Sequence, residues 1–106
     1  MNSILSTKRI EIVIETEKLE ELVSLLMEAG AKGYTVIKKA GGLGLRGLRN
    51  PDNALWDEGN VFVTLVCKED QTVRIVQGLH PWLKKFGGMC LISDCVRLEV
   101  EGSAVS

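Results

Sequence analysis

The residues best suited to binding chemistry lie between Ala40 and Gly59, where Gly41, Gly42, Gly44 and Gly47 alternate with apolar residues and with Arg46 and Arg49. Glycine lets the main chain approach a ligand closely and turn its N–H groups toward an anion, while arginine adds forked donors matched to phosphate or carboxylate. The run is roughly twenty residues long, in a chain whose connections should span about 4–6 residues, and loops of that length are usually functional. The same glycines would also suit an unconstrained excursion. Against that, Leu43, Leu45, Leu48, Leu55 and Trp56 are more large apolar groups than a solvated linker usually carries. Leu48, Arg49, Leu55 and Trp56 are therefore candidate partner-binding residues. A second candidate is the basic, glycine-containing stretch Leu83-Lys84-Lys85-Phe86-Gly87-Gly88. Its lysines either complement the carboxyl end of a helix or hold a phosphate.

Catalysis is not indicated. There is no nucleophile with a candidate base and no glycine loop closed by Lys-Ser/Thr. His80, the single histidine, has no neighbour in sequence with which to hold a metal. Cys67, Cys90 and Cys95 follow no zinc spacing, and each sits in an apolar, strand-like segment that predicts a buried thiol. With 13 Lys+Arg against 14 Asp+Glu, the formal charge of −1 removes the general attraction behind non-specific nucleic-acid binding. No apolar run approaches the ~20 residues of a membrane span. The start of the chain has no secretory pattern, so the expectation is a cytoplasmic protein.

These candidates must be positioned by a single domain, since 106 residues leave little room for a second. Lys8 to Glu15 alternates Ile10, Ile12 and Ile14 with Glu11, Val13 and Glu15, the period of a half-buried strand. Thr16 is read as the cap of a helix carrying Leu19, Leu22, Val23 and Leu26, which Gly30 stops. From Gly33, Tyr34-Thr35-Val36-Ile37 returns to strand formers. The pattern then repeats. Asn60 to Lys68 is a strand, Asp70 a cap, and Val73, Val76, Leu79 and Leu83 a helical stripe that Pro81 should kink or divide. Met89 to Ser93 is the next strand, and Val96 to Glu101 alternates as an additional C-terminal strand before a frayed tail at 102–106. Two βαβ halves in tandem predict an α+β, ferredoxin-like (βαββαβ) fold. In the strand from Asn60, Val61, Val63, Leu65 and Cys67 share one face and Phe62 and Val66 the other. Two helices cover only one face of such a sheet, so another copy of the chain is expected on the second.

The segment Gly30-Ala31-Lys32-Gly33-Tyr34-Thr35-Val36, followed by the glycine-rich run, resembles the PII signalling superfamily, and the likeness extends from Lys8 to about Glu101. The resemblance implies a compact trimer with sheets facing inward, a T-loop at 40–59, and adenine nucleotide bound in clefts between subunits. Carried onto this sequence, it implies that Gly33, Tyr34 and Thr35 lie near adenine. Lys85, Phe86, Gly87 and Gly88 would form the phosphate turn before the last core strand. Gly41, Gly42, Gly44 and Arg46 would form the T-loop base and take phosphate or another anion.

Departures from the family pattern narrow this expectation. The 40–59 run contains no Tyr, Ser or Thr, which excludes covalent modification of the kind used by nitrogen-regulatory members, and no Gln to help place magnesium and 2-oxoglutarate. Met89 stands where a lysine is expected, and Glu99, Glu101 and Gly102 stand in place of paired arginines. Less positive charge favours ADP or AMP over ATP. The variant loop, together with Lys84 to Asp94, resembles the PII-like proteins linked to carboxysomes and bicarbonate transport. That resemblance implies a non-enzymatic sensor of ADP or AMP whose pocket also takes bicarbonate. It would report to a bicarbonate transporter or a carboxysome-related protein through the T-loop. The alternatives are a CutA-like trimeric metal-tolerance protein and a nucleotide sensor with no link to carbon.

Overall fold

The structure is a computed structural model that describes residues 4–40, 42–44, 47–49 and 59–100. Strand β1 (Ile4–Glu15) passes through a 3-10 turn, Thr16–Lys18, into α1 (Leu19–Glu28) and then β2 (Thr35–Ala40). A short hairpin of β3 (Gly42–Gly44) and β4 (Gly47–Arg49) precedes β5 (Asn60–Cys67), α2 (Glu69–Phe86) and β6 (Met89–Leu98). The main sheet has the order β2-β5-β1-β6, with every pair antiparallel, and is the expected ferredoxin-like arrangement. Among the described residues no helix is long and apolar enough to cross a membrane.

The alternation in β1 and β5 decides which face carries the core. Ile10, Ile12 and Ile14 register against Leu65, Val63 and Val61, and all six are buried beneath Leu22 and Leu26 of α1 and Ile75 and Leu79 of α2. Gly30, at φ +92, ends α1 in the left-handed region that favours glycine.

Several sequence expectations need correction. The buried stripe of α2 is Thr72, Ile75 and Leu79, with Trp82 and Leu83 packed beside it, whereas Val73 is 52% exposed. The buried Thr72 donates both its N–H and its hydroxyl to the Lys68 carbonyl, each at 2.9 Å. The helix is capped at Lys68, whose N–H reaches Gln71 Oε1 at 3.2 Å, and not at Asp70. Pro81 leaves α2 undivided. It lies on the exposed side, as does Gln77, whose carbonyl loses its helical donor and can turn to water. The two C-terminal runs are likewise one strand, β6, and not a core strand plus an additional one. Lys8 and Asp94 form a cross-strand ion pair there, and Thr7 Oγ1 lies 3.1 Å from Cys95 Sγ, so β1 and β6 stay zipped through the polar Ser93-Asp94 step. The Asp94 carboxylate also raises the pKa of the Lys8 ammonium through that hydrogen bond.

The difference in α2 is testable by urea denaturation at fixed protein concentration. Ile75→Ala should cost about 2–5 kcal/mol, and Val73→Ala no more than about 0.5 kcal/mol. Equal losses would contradict the observed helix phase.

Candidate functional site

One end of the sheet gathers both ends of the long segment and the turn after α2. Ala40 registers with Asn60 and Asn60 with Glu15, while two residues earlier in β1 Val13 registers with Met89, just after Gly88. Thr16 is not the helix cap that its position suggested. Its N–H donates to the Gly59 carbonyl at 3.0 Å and its hydroxyl to the same oxygen at 2.5 Å, so Thr16 ties the exit of the long segment to β1. α1 starts only at Leu19, behind Lys18, and carries Glu20 and Glu21 in its first turn. Gly42 and Gly44 lie in β3 opposite Arg49 and Gly47 of β4, with Leu48 opposite Leu43. Gly41, Arg46, Leu55 and Trp56 lie outside the described residues.

The turn after α2 has its own geometry. Gly87, at φ +85, donates its N–H to the Leu83 carbonyl at 2.7 Å, closing the helix and leaving that donor unavailable to a ligand. Gly88, at φ +124, lies flat on β1, where a Cβ would come within 2.9 Å of both the Val13 carbonyl oxygen and Ile14 Cγ2. Phe86 sits against Trp82 with ring centroids 5.2 Å apart. Two ammonium groups flank its ring, Lys18 Nζ at 4.4 Å and Lys85 Nζ at 5.1 Å from the centroid. Lys84 and Lys85 have no carboxylate partner among the described residues. The turn is therefore a positive patch at the end of α2. Sequence reasoning missed Lys18, because nothing in the spacing of residues 18 and 86 announces that they meet.

Gly33, Tyr34 and Thr35 lie elsewhere. They lead into β2, an outer strand of the sheet, with Thr35 opposite Thr64 and Tyr34 40% exposed. The Lys85–Gly88 turn leads into β6, the opposite outer strand. Three strand spacings separate the two edges, about 14 Å. Within one chain the expected adenine residues and the expected phosphate residues are thus kept apart by β5 and β1.

Cys67 is buried, its Sγ 3.0 Å from Thr72 Oγ1, while Cys90 and Cys95 are only half-buried. Burial pushes the Cys90 thiol pKa up, away from the reactive thiolate. His80 is exposed on α2, and among the described residues no group of three or more His, Cys, Asp or Glu side chains could hold a metal ion.

The described residues thus form a ferredoxin-like domain in which the ends of a long glycine-rich segment and a basic turn lie at the same end of the sheet. The chain belongs to the nitrogen regulatory protein P-II family, whose model matches residues 7–101. No curated protein matches the sequence. Among solved structures the chain is similar to CPII, a nitrogen regulatory PII-like protein from Thiomonas intermedia K12, bound to ADP, AMP and bicarbonate. The two share 23% identity over 91% of this chain and 92% of that one, with a TM-score of 0.80. CPII bound to ADP, AMP and acetate matches at the same identity and coverage, with a TM-score of 0.73. A candidate PII-like signalling protein from Thermus thermophilus matches at 22% identity over 92% of this chain and 94% of that one, with a TM-score of 0.71. These likenesses establish a shared fold.

The geometry of the turn makes a prediction. Alanine at Gly87 or Gly88 takes a backbone region nearly closed to side chains, at about 1–3 kcal/mol each. Gly88→Ala should lose a further amount of about 1–3 kcal/mol from collision with β1. Denaturation midpoints of the two variants measure the difference, and a Gly88→Ala variant no weaker than Gly87→Ala would contradict the packing described.

Proposed function

We propose that this protein is a non-enzymatic, trimeric PII-like sensor that binds ADP or AMP between adjacent copies, takes bicarbonate beside the nucleotide, and signals through its long loop. The observation that carries the reading is the placement of Gly33, Tyr34 and Thr35 at the start of one outer strand and of Lys85, Phe86, Gly87 and Gly88 just before the other. Residues on opposite edges of a sheet converge on one ligand when a neighbouring copy supplies the second edge. The face of the sheet that no described element covers supports such an assembly. A row of apolar side chains, Ile37, Phe62, Val13 and Met89, crosses all four strands on the face away from the helices, and Ile37 and Met89 are 53% and 51% exposed. A second copy is the natural cover for such a row.

In this reading Thr35 and the backbone around Gly33 and Tyr34 meet the adenine edge, and the Lys84-Lys85 patch meets the phosphates. Bicarbonate is assigned to Gly41, Gly42, Gly44 and Arg46, since a planar monoanion needs two or three convergent N–H donors. Binding of bicarbonate, and of acetate, by the structurally similar CPII supports that class of anion. Met89 in place of a lysine disfavours a third phosphate. Leu48, Arg49, Leu55 and Trp56 are assigned to the partner, which the reading places in inorganic-carbon transport or assimilation in the cytoplasm. The unpaired thiols are compatible with a reducing compartment.

Calorimetric titration with AMP, ADP, ATP and cyclic AMP, with and without bicarbonate, tests the proposal on protein whose mass is first measured by light scattering. The expected results are a trimeric mass, ADP or AMP binding tighter than ATP, and a gain in nucleotide affinity of at least about fivefold with bicarbonate, which linkage makes reciprocal. Nucleotide binding without that coupling would remove the carbon role and leave an energy sensor. A monomeric mass at micromolar concentration, or no heat with any nucleotide, would overturn the proposal.

A further inference from the structure

The 3-10 turn Thr16–Lys18 touches two segments that no strand pairing joins directly. At one end, Thr16 holds the Gly59 carbonyl through both its N–H and its hydroxyl, at the exit of the long segment. At the other end, Lys18 Nζ stands 4.4 Å from the centroid of Phe86, the last residue of α2 before the two positive-φ glycines. The turn between these contacts is short and internally bonded, with the Leu19 N–H donating to the Thr16 carbonyl, and it is continuous with β1 and α1. The turn therefore carries one contact to Phe86 and another to Gly59, from residues two apart in the chain.

We propose that Lys18 is a positioning residue of the nucleotide site, acting through Phe86, and that the Thr16–Lys18 turn couples the phosphate turn to the exit of the long loop. The proposal rests on the nucleotide reading above. Lys18 also lies 3.7 Å from Glu21, one turn along α1, which steadies the ammonium without withdrawing it from the ring. Lys85, at 5.1 Å from the same centroid, is a second cation on Phe86. Two ammonium groups on one ring repel each other, and an anionic phosphate at this turn would relieve the repulsion and draw both lysines toward it. Nucleotide binding would then be registered at Phe86 and Lys18 and passed through Thr16 to Gly59. In this proposal the loop end and the phosphate turn are two sites that each bias the one turn joining them, which is what coupling requires.

Amide hydrogen exchange provides a readout at each end, because the Thr16 N–H reports the bond to Gly59 and the Gly87 N–H reports the closure of α2. In ligand-free protein, Lys18→Met should speed exchange of both amides about two- to fivefold, the scale of an exposed cation–π contact. Phe86→Leu should speed exchange at Thr16, which it does not touch. Lys18→Arg, which keeps a cation over the ring, should restore rates near those of the unaltered protein. Core amides of β1 such as Ile12 should stay unchanged in all three and so control for folding. In calorimetry, Lys18→Met should weaken ADP binding by about two- to fivefold and Lys18→Arg should recover it. Unchanged Thr16 exchange in both Phe86→Leu and Lys18→Met would overturn the coupling. Absence of ADP binding to the unaltered protein would overturn the nucleotide reading alone, and the ligand-free exchange rates would still decide the coupling.

Discussion

A four-stranded sheet with helices on one face only is the constraint from which the rest follows. β1 and β5 put Ile10, Ile12, Ile14, Val61, Val63 and Leu65 under the helices and leave Val13 and Phe62 on the other side. Because side chains in a strand alternate with period two, the apolar residues on that second side cannot be turned inward without exposing the core. Burying them takes a second layer, and the described elements leave none to supply one. The same strand order sends β2 and β6 to opposite edges, so any ligand that needs both must bind where two copies meet. In the proposed reading, assembly and ligand binding are one problem, posed by the order β2-β5-β1-β6.

The fold was largely legible because its strands alternate cleanly and its punctuation is strong. The isoleucines of β1, the mixed faces of β5 and Gly30 each meant in the structure what their patterns indicated. The errors arose where one residue type serves two physical ends. A threonine after a strand and before a helix can cap the helix or hold a neighbouring loop, and Thr16 does the second. The valines at 73 and 76 fit a helical stripe as well as Thr72 and Ile75 do, and only packing against the sheet shows that Thr72, Ile75 and Leu79 form the buried face. Ser93-Asp94 reads as a strand break until Lys8 is known to sit opposite Asp94.

Of the candidate site, the sequence could suggest residues and not how the fold would arrange them. Lys85 to Gly88 form a basic turn of the kind expected, although the Gly87 N–H is spent on Leu83 and not offered to a ligand. Lys18 escaped notice since a contact between residues so far apart in sequence leaves no local trace, and it is the residue that joins the turn to the base of α1. Separation of the residues expected near adenine from those expected near phosphate was equally invisible before strand order was known. It is also the most informative property of the candidate site, because it turns a list of plausible residues into a testable proposal that the ligand lies between two copies.

That statement can be tested by subunit complementation, with ADP binding measured in trimers assembled from two defective chains. Tyr34→Glu would spoil one half of each cleft and Lys85→Glu the other, by placing a carboxylate beside the nucleotide. Each variant alone should fail to bind ADP, whereas trimers formed by random mixing should recover about one quarter of the clefts, those that draw an intact half from each chain. A mixed assembly that binds no more ADP than the separate variants would mean that both halves belong to one chain, contrary to the arrangement described.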